Sequence, residues 1–468
     1  MSKDRGSLAI VLHTHMPYVE GFGTWPFGEE WLWEAITTSY LPLLDLLEAG
    51  APLTLSLTPV LCDQLEGAGV QERYRTFLDE VRRYTHHEDA RGLRAGGHDA
   101  LADEVLRSWG DYERALERFA ELDGDLPSAL APYAQWTSSA THAVLPLLAT
   151  EAGLEAQVKG GIDSHRTRFG PGWRGGFWLP ECAHAPWIEP TLADAGAHAS
   201  CIELTGAFGP DSPRHLRPLL SESGLQLVPI DRATISLVWS ERGYPAHGDY
   251  RDYHHHTIHH HNPWANHGGA YDHERALALA HSHAANFVAR AKARVERLGA
   301  GIPGGGLVVC ALDTELLGHW WYEGVAWLSA VVAECAAQGL ELVRLDEALA
   351  RSEPAPAAGI WEDAEQATSW GEHGDLSTWS APAVAEMAFA TRAGELAAMH
   401  AGAGLGPAAL RQLLALQSSD WAFMVARGLA VPYARERFEQ HCQGLRDALS
   451  AGPAADVGPL RNLAVHAG

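Results

Sequence analysis

Long hydrophobic runs are missing from this sequence, and so are the usual marks of a secreted protein. A membrane helix requires about 20 consecutive apolar residues, and no stretch of the chain reaches that length. The first residues, MSKDRGSLAIVLHTHMP, contain no long apolar segment and no small-residue cleavage site, so no signal peptide is expected. The six cysteines are scattered without a CxxC pair. Together these absences predict a soluble, cytoplasmic protein with reduced thiols.

Positive charge is also scarce. The chain has 34 lysines and arginines against 59 aspartates and glutamates, which gives a formal net charge of -25. Because phosphate groups are bound by basic surfaces, this balance argues against both nucleic acid and anionic membrane surfaces as partners.

Tryptophan, in contrast, is abundant. The 468 residues are 46% hydrophobic and 20% charged, an ordinary globular composition, but 17 of them are tryptophan. Many of these tryptophans stand beside glycine, proline, histidine or an acidic residue rather than in aliphatic runs. Flat aromatic faces next to polar groups suit sugar rings, which offer C–H faces for packing and hydroxyls for hydrogen bonds.

Short β-like runs alternate with helical stretches along much of the chain. The predicted strands are 7–15, 52–59, 176–182, 198–204, 225–230, 235–240, 306–316 and 340–345. The predicted helices among them include 29–50, 141–153, 186–196, 274–299 and 323–339. Such alternation implies a parallel sheet with βαβ crossovers. Seven or eight units predict an α/β fold built on a TIM-like barrel, complete or with one strand missing.

Two regions depart from this alternation. Residues 63–130 are charged and helical, and we interpret them as a helical insertion after the second strand. The stretch RSEPAPAAG, 351–359, is the best linker candidate. We therefore predict a catalytic domain over residues 1–350 and a C-terminal helical domain over residues 351–468.

Three predicted strands end in residues that can do acid–base chemistry. The first ends in His13 and His15, a middle one in Glu181, and a late one in LDTELLGHWW, with Asp313 and Glu315. In parallel barrels, functional residues gather at the carboxyl ends of strands. Two carboxylates facing each other across a tryptophan-lined mouth are what glycoside chemistry uses. Alternation puts Asp313 and Glu315 on one face of their strand, so it does not say which of them is the partner of Glu181.

The acid of such a pair needs a raised pKa, which an apolar wall formed by Trp320 and Trp321 would supply. The plain alternative for each strand-end carboxylate is a buried ion pair or a helix N-cap.

The same residues permit a metal site as an alternative. His13 and His15 form an HTH motif, and His142 and Asp313 are possible further ligands. The run YHHHTIHHHNPWANH, 253–267, offers more histidines, but we interpret it as a solvated loop. No strand ends in the single histidine expected of a metal barrel, so we predict neither a metal nor a cofactor.

These motifs resemble glycoside hydrolase family 57, and within it the branching enzymes that act on 1,4-α-glucans. The resemblance covers nearly the whole chain. It rests on the segments LHTHMPYV…GTWPFGEEWLWEAI, THAVLPLL, FWLPECA, LDTELLGHWWYEG and TSWGEHGDLSTW, and on LQSSDWAFMV…YARERF in the C-terminal region. It implies a (β/α)7 barrel followed by a helical domain.

The resemblance also implies residue roles. Glu181 becomes the nucleophile and Asp313 the general acid/base, which decides between Asp313 and Glu315. His13 and His15 become sugar-binding and pKa-tuning residues rather than metal ligands. The expected substrate-binding set is His13, His15, Trp25, Trp31, His142, Trp178, His319, Trp320, Trp321, Trp370, Asp375 and Trp379.

The implied reaction is retaining transfer on an α-1,4-glucan. Glu181 attacks the anomeric carbon while Asp313 protonates the leaving oxygen, and a 6-hydroxyl then takes the glucan to form an α-1,6 branch. Branching members carry a loop tipped by a tyrosine, whereas the matching segment AFGPDSPRHLRPLL, 207–220, is short and contains none. An α-glucan hydrolase and a 4-α-glucanotransferase therefore stay open as alternatives, as does a catalytically silent glucan-binding protein.

Overall fold

The computed structural model describes residues 6–21, 23, 28–357, 367–453, 460 and 462–467. Ten strands form one sheet. They are β1 (Ser7–Thr14), β2 (Thr54–Leu57), β3 (Ala134–Ser138), β4 (Gly176–Trp178), β5 (Ala199–Ile202), β6 (Leu219–Leu220), β7 (Gln226–Pro229), β8 (Leu307–Asp313), β9 (Glu341–Leu342) and β10 (Ala355–Pro356).

Seven of these strands run parallel and curl into a barrel. Their order is β7-β5-β4-β3-β2-β1-β8, and every neighbouring pair is parallel. The two ends of this row come together where Asp231 N, just after β7, donates a hydrogen bond to Val309 O of β8 over 2.8 Å. The predicted TIM-like (β/α)7 barrel is therefore confirmed. β6 and β10 extend the sheet beyond β7, and β9 pairs with the start of β1.

Helices cover the barrel, form the insertion and make up the C-terminal region. The α-helices are Glu29–Ala35, Leu41–Glu48, Pro59–Leu65, Val70–Thr76, Arg83–Ala95, Asp99–Glu121, Leu126–Leu130, Glu151–Phe169, Glu189–Asp194, Thr205–Phe208, Arg232–Val238, His273–Leu298, Gly324–Gln338, Leu345–Arg351, Ser377–Ser380, Ala385–Ala401, Pro407–Leu416, Ser419–Arg427 and Val431–Ala451. Within the described residues, none of these helices is long and apolar enough to cross a membrane.

The secondary structure differs from the sequence prediction at several elements. Residues 235–240, predicted as a strand, belong mostly to the helix Arg232–Val238. Residues 141–153, predicted as a helix, contain only the 3-10 turn Leu145–Leu147 before Glu151 starts the next helix. Strand β3 was not predicted, although it completes the seven. The first two errors fall on apolar runs, in which hydrophobicity alone does not separate a buried strand from a buried helix. Strand β3, with the sequence AQWTS, has no apolar run to mark it.

Strand register is what brings the predicted functional residues together. On β1, His13 is in register with Asp313 at the end of β8 and with Ser56 on β2. On the other side of the barrel, Ser138 of β3 is in register with Trp178 of β4. Because parallel strands present their carboxyl ends at one edge, these residues share the same barrel mouth.

The helical insertion is attached to the barrel through buried charge. Arg82 donates from Nε to Glu34 over 2.6 Å and from Nη2 to Glu30 over 3.0 Å, and all three residues are buried. The same guanidinium donates to the backbone oxygen of His259 over 2.8 Å. One arginine therefore links the insertion, the helices after β1 and the His-rich run.

Candidate active site

Glu181 lies directly after β4 in a strained backbone conformation. Its φ of 64° and ψ of 18° are left-handed, and Cys182 follows with a φ of 48°. Non-glycine residues rarely adopt this conformation, and where they do, the surrounding structure must hold them. The turn lets the chain leave the strand with the Glu181 side chain at the barrel mouth.

Two donors hold the Glu181 carboxylate. Trp370 Nε1 donates to Oε2 over 3.0 Å, and Ser419 Oγ donates to Oε1 over 2.8 Å. The backbone of Trp370 also donates to Glu181 O over 3.0 Å. Burial raises the pKa of Glu181, and the hydrogen bonds from Trp370 and Ser419 oppose that rise by stabilising the anion.

Asp313 ends β8 in a different environment. Burial raises its pKa well above the usual range, and the negative charges of Glu315, Glu181 and Asp420 raise it further. Within the described part of the chain, no side-chain hydrogen bond stabilises its anion. The surroundings of Asp313 therefore favour its protonated form, whereas the two donors at Glu181 favour its ionised form.

Three histidines stack on one another beside Glu181. The rings of His15 and His142 lie 3.8 Å apart and nearly parallel, and His13 stacks on Trp178 at 4.6 Å. His13 Nε2 and His142 Nε2 are 2.8 Å apart. Burial lowers the pKa of His13 and of His142 well below the usual value, and their histidine neighbours lower it further, so both rings are neutral.

His15 differs from the other two because it has an acidic partner. Its Nε2 lies 3.0 Å from Asp420 Oδ1. Burial lowers the pKa of His15, but attraction and hydrogen bonding to Asp420 outweigh it, and the pKa is raised overall. The pKa of Asp420 is correspondingly lowered, because His15 outweighs the opposing effect of burial. We expect this pair to be ionic.

Glu315 is a third acidic group at the mouth. It is buried, and its Oε1 accepts hydrogen bonds from Tyr40 Oη over 2.6 Å and from His15 N over 3.1 Å. Burial raises its pKa to about 7 despite these donors. Glu315 thus lies in the turn directly after β8, held by Tyr40 and by the backbone of His15.

The histidine stack includes a set of atoms with metal-site spacing. The ligand atoms of His15, His142 and Asp420 lie within 4.8 Å of one another. However, both ring nitrogens of each histidine already have hydrogen-bond partners: Thr58 and Asp420 for His15, and His13 and Ser419 for His142. A cation would have to displace these bonds, so the hydrogen-bonded arrangement fits the predicted sugar-binding and pKa-tuning roles better.

The predicted aromatic residues occupy different environments. Trp178 and Trp321 are completely buried, whereas Trp320 is 39% exposed at the rim. Trp31 is half-buried and meets Tyr433 edge-on at 5.5 Å. His319 contacts Tyr253 edge-on at 5.7 Å. Trp25 falls outside the described residues.

The predicted site residues of the segment TSWGEHGDLSTW also occupy different environments. Trp370 contacts both Glu181 and Trp178, the latter edge-on at 5.1 Å. Trp379 is buried against Val144 and Ala183, where it supports the mouth rather than lining it. Asp375 is exposed and accepts a hydrogen bond from the backbone of Ser377 over 2.8 Å.

Several site residues were not predicted. Ser419 contacts Glu181 and His142, Asp420 contacts His15, and Tyr40 contacts Glu315, yet all three come from segments that carry no strand-end signal. Trp239, 44% exposed, faces Trp320 with ring centres 5.6 Å apart. Because residues 235–240 were predicted as a strand, the sequence analysis did not place Trp239 at the rim.

The His-rich run is a folded structural element. His259 Nδ1 contacts Asp89 at 2.6 Å, His261 is buried against His86, and Thr257 donates to Asp89. The predicted solvated loop is therefore wrong for His259, His260 and His261, whereas residues 253–256, Ile258, Asn266 and His267 are exposed as predicted.

This run helps to enclose a cavity of about 350 Å³ beside the segment that follows Asp313. The lining includes Trp31, Tyr253, His319 and Trp320.

The tyrosine-free segment 207–220 follows β5 and is held by two arginines of the helix His273–Leu298. Arg294 donates to the backbone oxygen of Pro210, and Arg297 contacts Asp211 at 2.9 Å. Leu216 packs against Gly306, at the start of β8, whereas Asp313 is at the opposite end of that strand. The second half of the segment therefore lies at the end of β8 opposite Asp313, whereas its first residues follow the carboxyl end of β5.

Comparison with known proteins agrees with this arrangement. Residues 135–357 match glycosyl hydrolase family 57, and residues 397–456 match the C-terminal family described as 1,4-alpha-glucan branching enzyme. A probable 1,4-alpha-glucan branching enzyme of Mycobacterium tuberculosis is 30% identical over 520 residues, covering 98% of this chain and 94% of that protein.

Two solved structures are similar over most of the chain. The branching enzyme of Pyrococcus horikoshii has a TM-score of 0.84 and 30% identity, over 93% of this chain and 88% of that one. An alpha-amylase of Thermotoga maritima has a TM-score of 0.80 and 25% identity, over 98% and 96%. On the strength of these matches, the chain belongs to glycosyl hydrolase family 57.

Proposed function

We propose that this protein is a 1,4-α-glucan branching enzyme that works by a retaining mechanism. The observation that carries the proposal is the unequal environment of two carboxyls at one barrel mouth. Glu181 has two hydrogen-bond donors, and Asp313 has burial and three negative neighbours. That is the division between a nucleophile and an acid which glycoside chemistry requires.

The first half-reaction breaks an α-1,4 link. A Glu181 oxygen attacks C1 of the donor glucan, the C1–O4 bond breaks, and the Asp313 proton passes to O4. The products are a covalent glucosyl ester on Glu181 and a shortened glucan. A carboxyl separation of about 5–5.5 Å is expected for this geometry.

The second half-reaction forms the branch. The 6-hydroxyl of an acceptor glucan attacks C1, its proton passes to Asp313, and the ester bond to Glu181 breaks. Two inversions at C1 retain the α configuration. Water in place of the 6-hydroxyl gives hydrolysis, so the outcome depends on how well the acceptor competes.

Aromatic side chains at the rim supply the surface for a glucan. Trp239 and Trp320 are both partly exposed and face each other beyond β7 and β8. The cavity beside them adds Trp31 and Tyr253. Sugar rings stack on such faces, and the neighbouring polar groups match their hydroxyls.

Hydrolysis is the second candidate, and a specific observation favours it. Segment 207–220 contains no tyrosine, and its residue Leu216 packs near the start of β8, at the end of that strand opposite Asp313. The structural similarity to an alpha-amylase is in keeping with this alternative.

The experiment that separates these functions is incubation with amylose, with two products followed together. New α-1,6 links, measured by proton NMR or after debranching, should greatly exceed new reducing ends. Reducing ends without branches would make the protein a hydrolase. Redistributed α-1,4 chain lengths with neither signal would make it a 4-α-glucanotransferase.

Azide can distinguish the nucleophile, Glu181, from the general acid/base, Asp313. Glu181→Ala and Asp313→Ala should each lower turnover by at least about 10²-fold. With an activated α-glucosyl donor and azide, the Glu181 variant should give a β-glucosyl azide, because azide replaces the nucleophile. The Asp313 variant should give an α-glucosyl azide through the normal ester. Swapped products would reverse the assignment.

We also propose that the enzyme works in the cytoplasm, in the synthesis of glycogen-like glucan. All six cysteines are buried and unpaired, as expected for a reducing compartment. Cell fractionation with detection of the protein, together with the branching of glycogen in a deletion strain, would test both points.

A further inference from the structure

The C-terminal region contributes Ser419 and Asp420 to the catalytic centre. The residues Ser418 and Ser419 pair with the chain beside His142: Ala143 and Ser418 form an antiparallel bridge, and Ser419 N donates to His142 O over 2.9 Å. This pairing fixes the start of the helix Ser419–Arg427 against the barrel mouth. It places Ser419, only 3% exposed, between His142 and Glu181.

The hydrogen bonds around Ser419 have one consistent direction. An ionised Glu181 only accepts, so the Ser419 hydroxyl donates its proton to Oε1. Ser419 Oγ then accepts from His142 Nδ1–H, 2.8 Å away. His142 Nε2 is left without a proton and accepts from His13 Nε2–H over 2.8 Å.

The chain of bonds ends at Ser56. With its proton on Nε2, His13 has an unprotonated Nδ1, which lies 3.4 Å from Ser56 Oγ. One proton per ring is required at both histidines, and their burial keeps both rings neutral. Every donor in the series Ser56, His13, His142 and Ser419 therefore points toward Glu181.

We propose that Ser419 is a positioning residue for the nucleophile, holding Glu181 ionised and in a fixed orientation at the end of a directed hydrogen-bond relay. The proposal rests on the proposed function, because it gives the relay a role in the attack of Glu181 on glucan. It means that the catalytic centre is complete only when the C-terminal region is docked on the barrel.

Removal of the hydroxyl has a predictable electrostatic effect. In Ser419→Ala, Glu181 keeps Trp370 as a donor and loses the other. The charged or titratable groups that face Glu181 stay in place, namely His15, His142, Asp313 and Asp420. His142 Nδ1 lies 3.9 Å from Glu181 Oε1, too far to replace the lost bond without movement. The pKa of Glu181 should therefore rise.

The test compares the pH profiles of Ser419→Ala and the wild type, using maltooligosaccharide cleavage as the readout. We expect the acid limb of kcat/KM to move up by about one pH unit and kcat near pH 6 to fall about 10-fold or more. KM should stay within about 2-fold, because the hydroxyl does not contact the glucan. Ser164→Ala, another buried serine outside the site, is the matched control and should keep the wild-type profile.

A profile of Ser419→Ala that superimposes on the wild type would overturn the proposal, and so would an equal loss at every pH without a shift of the acid limb. If the alanine variant does not fold, Ser419→Cys carries the same test, since its weaker donor should give a smaller shift in the same direction. An inactive wild type would instead refute the proposed function.

Discussion

At the scale of single residues, three buried carboxyls within one barrel mouth have distinct surroundings. Glu181 has two hydrogen-bond donors and Asp313 has none described, while Glu315 accepts from Tyr40 and from the backbone of His15. Hydrogen-bond donors stabilise the ionised form, so of Glu181 and Asp313 it is Glu181 whose surroundings favour loss of the proton. Residue type alone would not distinguish these acids.

Replacement of Glu315 by glutamine should make the protein more stable at high pH. Burial raises the pKa of Glu315 from 4.5 to about 7, so the native state binds more protons than the unfolded state between these values. The stability that the protonated Glu315 contributes to the free energy of unfolding is fully present below pH 4.5, and it is lost as pH rises through about 7. Glu315→Gln removes this loss, worth about 3 kcal/mol.

The measurement is the free energy of unfolding in urea at pH 4 and pH 8 for both proteins. The advantage of Glu315→Gln over the wild type should grow across this range. Glu222→Gln, a change at an exposed glutamate, is the control and should show no such growth. A difference that is independent of pH would contradict a raised pKa for Glu315.

Two adjacent tryptophans should respond to alanine in opposite ways. Trp320 is 39% exposed at the rim, whereas Trp321 is 1% exposed and packs against Tyr250 and Trp327. Trp320→Ala should raise KM for maltooligosaccharides about 3–10-fold with little loss of stability. Trp321→Ala should cost about 3–5 kcal/mol of unfolding free energy. Equal effects of the two changes on KM would contradict the assignment of Trp320 to a sugar surface.

At the scale of elements, the turns that follow the strands help to determine which residues lie at the barrel mouth. His142 and Glu181 both have left-handed backbone conformations, with φ of 62° and 64°. Gly318, which follows β8, has a φ of 103° and passes close to the carbonyl of Thr38. These turns direct side chains into the mouth, at the cost of conformations that most residues avoid.

Gly318→Ala should strongly destabilise the protein, because a Cβ there would lie 1.8 Å from Thr38 O. The clash would push the segment after Asp313 away from the helices that precede β2. Gly428→Ala is a suitable control, since Gly428 has a φ of 71° with no atom within 4 Å of the added Cβ. We expect about 1 kcal/mol of loss for the control and several-fold more for Gly318→Ala in urea unfolding. Similar losses would show that only the backbone conformation matters.

At the scale of the whole molecule, the C-terminal region is joined to the barrel by a buried acid. Glu395 is 0% exposed and accepts hydrogen bonds from Ala149 N, Thr150 N and Gln417 Nε2. These bonds tie the helix Ala385–Ala401 to the start of the helix Glu151–Phe169. The C-terminal region also supplies Ser419 and Asp420, so we expect its docking and the chemistry to be coupled.

Glu395→Ala should therefore loosen the C-terminal region and lower activity from a distance. It leaves buried donors without acceptors, which costs about 3 kcal/mol or more. Amide hydrogen exchange should speed up in the helix Ser419–Arg427, and kcat should fall. Glu386→Ala, at an exposed position of the same helix, should change neither. Unchanged exchange in both variants would mean that the region is held by its apolar contacts alone.

The sequence by itself determined the barrel class, the two carboxyl motifs and the family. Strand–helix alternation and polar strand ends are local patterns, and FWLPECA and LDTELLGHWW are contiguous segments, so no tertiary contact is needed to read them. The boundary between a catalytic domain of residues 1–350 and a C-terminal helical domain of residues 351–468 stays a prediction.

Only the tertiary structure decided which residues surround the carboxyls. Ser419 lies 238 positions from Glu181 in the chain, and Tyr40 lies 275 from Glu315. The tertiary structure also showed that Trp321 belongs to the core, that Trp239 is exposed at the rim and that Leu216 of segment 207–220 lies near the start of β8. The physical reason is that hydrogen bonds and burial depend on distances in space, and the register of the closed barrel sets those distances.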